Sequence, residues 1–254
     1  MGNDFLIRWV EDDLLLTPPE KVQALCDRRF GFGADGVIES FRGQNGRPYM
    51  HLVNSDGSSA EMSGNGLRCL IHHLVRLEVL DLYSESTVDT LAGERRVRIH
   101  GYETFDTLMS EVQMPKASAQ SLNFEDVDGY VIDVGNPHLV IPCESKEQLE
   151  SLNLQLLGPR YEKVLDSGVN VEWVYIESSE RVHLRVWERG AGETLACGTG
   201  SVATYIAVSQ GHLGVLKVEV LNPGGSLWVG NDPEGEYLWL EGPSSYIGDV
   251  YATT

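Results

Sequence analysis

Positive charge is scarce in this chain. Its 254 residues carry 19 Lys and Arg against 38 Asp and Glu, a formal net charge of −19. Nucleic-acid binding needs a basic patch, and anionic membrane surfaces attract basic segments, so both partner classes are excluded. Long apolar runs are lacking as well. No stretch reaches about 18 apolar residues, so no segment is read as spanning a membrane. The start, MGNDFLIRWVEDD, has no basic segment ahead of a long apolar core and is not read as a signal peptide. Cysteine is sparse and scattered, at Cys26, Cys69, Cys143 and Cys197. That spacing favours a reduced, cytoplasmic setting over a disulfide framework. With no C-x-x-C pair and no H-E-x-x-H, no metal site is expected.

What is present is globular: 42% hydrophobic and 22% charged residues. The length suffices for two domains with two cores. The most informative stretch is AGETLACGTGSVATYIAV, residues 191–208. Cys197 stands before a Gly-Thr-Gly turn, and Ser201 to Val208 reads as a helix of small and apolar residues. Free N–H groups at a helix N-terminus lower a thiol's pKa and bind an anion such as a carboxylate. The alternative is a buried structural cysteine, which does not account for the flanking glycines.

The same pattern occurs earlier, in GSSAEMSGNGLRCLIHHLVR, residues 57–76. Aligning Gly64-Asn65-Gly66 on Gly198-Thr199-Gly200 places Ser63 on Cys197, an offset of 134 residues (197 − 63). Gly2-Asn3 falls on Gly135-Asn136 and Asn54 on Glu188 at almost the same offset, which points to internal duplication. Two copies facing each other would aim two helix N-termini at one ligand, with Ser63 and Cys197 across one pocket.

In chain order, strands are expected at Asn3–Val10, Val37–Phe41 and Tyr49–Val53, with a helix at Glu20–Asp27 behind Pro18-Pro19. Gly31, Gly33 and Gly36 match G-x-G-x-x-G, but arginines and Phe30 precede them and a short strand follows. A dinucleotide site needs the opposite context, so these glycines are read as a loop beside the first turn. Strands follow near Ser84–Leu91, Arg95–His100 and Thr107–Met114. Pro115 and the polar run to Asp128 read as the crossing between copies. The second copy has strands at Tyr130–Val134, Val169–Ile176, Val182–Glu188, Val215–Leu221, Leu227–Val229 and Tyr237–Glu241, and a helix at Lys146–Leu152. The expected fold is α/β (α+β), two pseudo-symmetric lobes each with a curved, mostly antiparallel sheet around a central helix. Residues 1–114, joined by 243–254, form the first lobe and 115–242 the second.

Two small proton-carrying side chains at facing helix N-termini suit racemisation or epimerisation. One takes a proton from a carbon, the other returns one to the opposite face, and helix N–H groups stabilise charge on the α-carboxylate. Arg189 can pair with a second carboxylate bidentately; a solvated Arg189–Glu188 neighbour pair is the alternative. Asn54, Asn136 and Asn170 are each ordinary turn residues, yet together at strand ends they suit an amino group and a carboxylate. His138 fits a supporting role or a hydrogen-bonded structural one.

GNDF (2–5), GADG (33–36), NSDGS (54–58), SGNGLRC (63–69), GNPH (135–138), VN (169–170) and ERGAGETLACGTG (188–200) resemble the blocks of diaminopimelate epimerase, in order over the whole chain. The resemblance implies two lobes with the site at their interface, no cofactor, and commonly a homodimer. It implies that Asn3, Asn54, Asn136, Asn170 and Arg189 contact substrate with the main chain of Gly64-Asn65 and Gly198-Thr199. Cys197 becomes one acid/base, with His138 and Glu188 as a supporting pair. Two departures stand out. Ser63 occupies the place of the family's first cysteine; Cys69, six residues further along the helix, is turned away by about 600°. The chain also starts almost at GNDF, short of the family's first strand and HGxG lead-in, so either the start is truncated or the first lobe has lost a strand. The expected function is epimerisation of LL-diaminopimelate to the meso form. The alternatives are a related racemase or dehydratase using a Ser/Cys pair, or an impaired variant that binds substrate.

Overall fold

The computed structural model describes residues 1–11, 13–124, 127–211, 217–232, 234–235 and 237–251. The chain divides into two compact units: Asn3–Val112 with Gly242–Thr254, and Gln113–Glu241 with Met1–Gly2. The first unit runs β1 (Phe5–Trp9), α1 (Pro19–Cys26), β2 (Gly36–Arg42), β3 (Pro48–Asn54), β4 (Ser59–Ala60), α2 (Gly64–Arg76), β5 (Glu85–Thr90), β6 (Gly93–Thr104) and β7 (Thr107–Met114). The second adds β8 (Gln120–Phe124), β9 (Val127–Asp133), β10 (Pro137–Pro142), α3 (Lys146–Ser151), α4 (Leu154–Tyr161), β11 (Asn170–Ser178) and β12 (Arg181–Glu188). It continues with β13 (Gly192–Thr194), α5 (Gly198–Gly211), β14 (Lys217–Asn222), β15 (Gly225–Asn231) and β16 (Leu238–Ser245). β7 and β16 each carry the chain across the division.

The duplication read from the glycine turns recurs in strand pairing. In the first unit β1 lies parallel to β2, β2 antiparallel to β3, and β3 parallel to β5. In the second, β10 lies parallel to β11, β11 antiparallel to β12, and β12 parallel to β14. The β3–β4, β5–β6, β6–β7, β8–β9, β9–β10, β12–β13, β14–β15 and β15–β16 pairs are antiparallel. The register repeats too: Phe5 pairs with Gly36 as His138 pairs with Asn170. Parallel neighbours need a long crossover, and the helices supply it, α1 in one copy and α3–α4 in the other.

Alternation decides what each face of the second sheet meets. Leu139, Ile141, Val171 and Trp173 share one face and pack with Leu149, Leu154 and Tyr161 of the crossover helices. The opposite face meets α5, whose Val202, Ala203, Tyr205, Ile206 and Ala207 are all buried. A helix apolar all round belongs in a core, and α5 contacts β9, β10, β11, β14 and β15. α2 is its counterpart, with Leu67, Leu70, Ile71 and Leu74 fully buried. Each such side chain contributes about 1.5–3 kcal/mol relative to exposure, enough to fix both helices in place.

Three expectations change. The polar run after Pro115 is not only a crossing, because Gln120–Phe124 forms β8 and pairs with β9 as a hairpin. A second crossover helix, α4, carries Gly158-Pro159 in its interior, and that dipeptide hid its helical pattern. The strand expected at Val215–Leu221 is described as Lys217–Asn222; Val215 and Leu216 lie outside the described residues.

Gly158 yields a test with a clear sign. A Cβ there would lie 2.1 Å from the Trp187 ring. Gly→Ala inside a helix ordinarily gains up to about 1 kcal/mol. Overpacking costs about 1–3 kcal/mol, and each kcal/mol moves the melting temperature of a chain this long by roughly 2–4 °C. Gly158→Ala is therefore expected to lower the melting temperature measured by calorimetry; a rise would show that Trp187 is free to move.

Candidate active site

In the second unit, α5 begins one residue after Cys197, as its small residues and glycine turn imply. Cys197 is buried, and its Sγ accepts a hydrogen bond from Gly200 N at 3.3 Å, with Thr199 Oγ1 at 3.4 Å. Three strand ends meet this turn. Asn170 ties them together: its Nδ2 donates to Pro137 O at 3.2 Å, and its Oδ1 accepts from Arg189 N at 2.9 Å. Glu188 ends β12 and accepts hydrogen bonds from the Thr194 hydroxyl and the Cys197 thiol. His138 is fully buried; its Nδ1 lies 2.7 Å from Glu172 Oε1 and its Nε2 3.1 Å from Asn136 Oδ1. The direct carboxylate partner of His138 is thus Glu172 and not Glu188. Arg189 is exposed, with Nη1 donating to Ser167 O at 2.7 Å.

Electrostatics at Cys197 run opposite to the helix-terminus expectation. Burial pushes the thiol well above its usual value, and the Glu188 and Glu172 carboxylates push it further. The Thr199 hydroxyl and the Gly200 N–H pull the other way and lose. A helix end offers partial charge, whereas two carboxylates in a dry site offer whole ones. Burial also raises Glu188, against the hydrogen bonds from Thr194 and Cys197. The result is a neutral thiol hydrogen-bonded to a carboxylate whose raised affinity makes it a better proton acceptor.

The first unit repeats the turn with different chemistry. Ser63 caps α2, and its Oγ accepts from Gly66 N at 3.0 Å, the same donor three residues on as at Cys197. Asn65 is buried; it donates to Asn3 Oδ1 at 2.6 Å and accepts from Arg68 Nη2 at 2.7 Å. Asn3 in turn donates to Asp35 Oδ2 at 2.9 Å. Arg68 is buried, which lowers its pKa to about 10. Gly64 opens α2, and Asn54 ends β3 with Nδ2 donating to Ser58 Oγ at 3.0 Å. Among the described residues no imidazole or carboxylate bonds to Ser63 Oγ. Cys69 is half-buried and lines a cavity of about 460 Å³ with His72, His73 and the 245–250 segment.

The model of the family described as diaminopimelate epimerase matches residues 1–117 and 130–247. The chain belongs to the diaminopimelate epimerase family. A diaminopimelate epimerase of Synechococcus sp. (strain JA-2-3B'a(2-13)) is 39% identical over 97% of this chain and 93% of its own. Those of Synechocystis sp. and Natranaerobius thermophilus are each 35% identical, over 97% of this chain and 94% of theirs. The fold is shared with a phenazine biosynthesis protein of the PhzF family from Bacillus anthracis, TM-score 0.69 at 15% identity, covering 94% of this chain and 89% of that one. It is also shared with a hydroxyproline epimerase from Agrobacterium vitis, TM-score 0.64 at 13% identity, covering 89% and 78%. Membership makes the chain an isomerase of the α/β type expected. Among the described residues no helix is long and apolar enough to cross a membrane.

The sequence did not single out Glu172, which the structure places against His138. Its signal was present but faint: a charged residue two positions after Asn170, inside the otherwise apolar run VEWVYI.

The thiol's state yields a pair of opposite effects. Glu188→Gln removes one of the carboxylates that raise Cys197. Alkylation of Cys197 in the unliganded protein, followed by peptide mass spectrometry near pH 8, should become faster. Turnover should fall, because the proton acceptor is gone. Slower alkylation would show that Glu188 stabilises a thiolate rather than opposing it.

Proposed function

We propose that this chain converts LL-diaminopimelate to the meso form by two-base proton transfer, without a cofactor. Family membership supports the substrate, and one observation carries the mechanism. Two helices of a duplicated frame begin with the same backbone-to-cap hydrogen bond, one cap being a thiol and the other a hydroxyl. Cys197 is the first proton carrier and hands its own proton to Glu188 before taking the α-hydrogen. Ser63 is the second carrier. The leading N–H groups of α5 and α2, at Gly198-Thr199 and Gly64-Asn65, suit an α-carboxylate whose charge grows as the proton leaves. Asn3, Asn54, Asn136, Asn170 and Arg189 supply the remaining polar contacts, with Arg189 for the distal carboxylate.

A hydroxyl is a far weaker acid and base than a thiol, and among the described residues no imidazole or carboxylate bonds to Ser63 to activate it. In the direction where Cys197 removes the proton, α-hydrogen exchange with solvent should outpace net inversion. Ser63→Cys should raise turnover by about 10²–10⁴, the worth of a matched general acid–base group. Cys197→Ser should abolish both exchange and inversion, read by deuterium incorporation from ²H₂O. Unchanged turnover in Ser63→Cys would instead indicate a related racemase or dehydratase adapted to serine.

We also propose a homodimer in the cytoplasm. Support comes from exposed apolar side chains around one cavity of the first unit, Phe32 at 42%, Val250 at 54% and Ile247 at 90% exposure. Ile247→Asp is expected to shift sedimentation from dimer to monomer; an unaltered dimer would place the interface elsewhere.

A further inference from the structure

We propose that Glu172 is a positioning residue for proton transfer, acting by holding the imidazole of His138. The inference rests on the epimerase reading. Glu172 and His138 are both wholly buried, 2.7 Å apart through Oε1 and Nδ1. A carboxylate oxygen accepts the ring N–H, so Nδ1 donates to Glu172. Nε2 is then the nitrogen that faces Asn136 Oδ1, at 3.1 Å. The groups facing Glu172 come from three elements: His138 on β10, Glu188 on β12 and Cys197 before α5.

Two observations argue against a packing role. Oε2 of Glu172 is buried with no partner among the described residues, a state that costs folding free energy and calls for a functional explanation. The duplicated frame also supplies a control. Ile38 stands where Glu172 stands, 134 residues later (172 − 38). A Cβ on Gly66 would meet Ile38 Cδ1 at 3.1 Å, and a Cβ on Gly200 would meet Glu172 Oε1 at 2.6 Å. The same seat beneath the second glycine is therefore filled by a fully buried aliphatic chain in one copy and a carboxylate in the other. Packing alone is met by isoleucine. In the first copy Phe5 also replaces His138, so carboxylate and imidazole change together.

The experiment uses the full chain with ¹⁵N-labelled histidine. In the unliganded wild type, ring nitrogen shifts should show the His138 proton on Nδ1. In Glu172→Gln and Glu172→Ile it should move to Nε2. Turnover of LL-diaminopimelate should fall roughly 10–100-fold, by analogy with loss of the partner that orients a metal-bound histidine, with KM little changed. The Glu172→Gln/His138→Asn double variant should be no slower than His138→Asn alone. Wild-type ring shifts in the Gln variant, or additive losses in the double variant, would overturn the proposal. If Glu172→Ile does not fold, the control drawn from Ile38 fails and the Gln variant carries the remaining test. Because the ring spectrum needs no substrate, an inactive wild type would refute the epimerase reading without touching the spectral result.

Discussion

The close seating of α5 on its sheet is the constraint on which the second unit depends. The helix is apolar on every side, so it must be covered all round. Its first turn can come down on β11 only because residue 200 has no side chain, the Glu172 carboxylate already filling that space. That approach gives the Cys197 sulfur a backbone N–H from Gly200 and buries the thiol among two carboxylates. The packing that makes the core also makes the chemistry, through one missing Cβ.

Burial at this turn turns the usual rule for cysteine at a helix start around. Desolvation and two nearby negative charges outweigh one backbone N–H and one hydroxyl. A thiol held protonated beside a carboxylate of raised affinity is poised for transfer rather than reaction. The thiolate is the oxidisable form, so a thiol kept protonated is also less open to oxidation.

Duplication explains both the likeness and the difference of the units. Pairing order, register and the cap-to-backbone bond are kept, because they are properties of the backbone. The side chains beneath the second glycine are free to diverge provided their volume suits. Glu172 and His138 took one path, and Ile38 and Phe5 the other. The second unit thereby gathered a thiol, an imidazole and carboxylates at its turn, while the first kept a network of Asn3, Asn65, Arg68 and Asp35.

Local signals determined much of this protein from sequence. The glycine turns, the apolar run after Cys197, the offset of 134 and the strand-ending asparagines are short-range features, and they located both central helices. The edge hairpin was lost because β8 is mostly polar and half-exposed, and α4 because Gly158-Pro159 interrupts its pattern. Only the tertiary structure decided which carboxylate meets His138. Glu172 and Glu188 lie in neighbouring strands, and the register of β10, β11 and β12 selects between them. It alone decided the direction of the thiol's shift as well. A helix terminus is written in the local sequence, whereas desolvation depends on every element that closes around the sulfur.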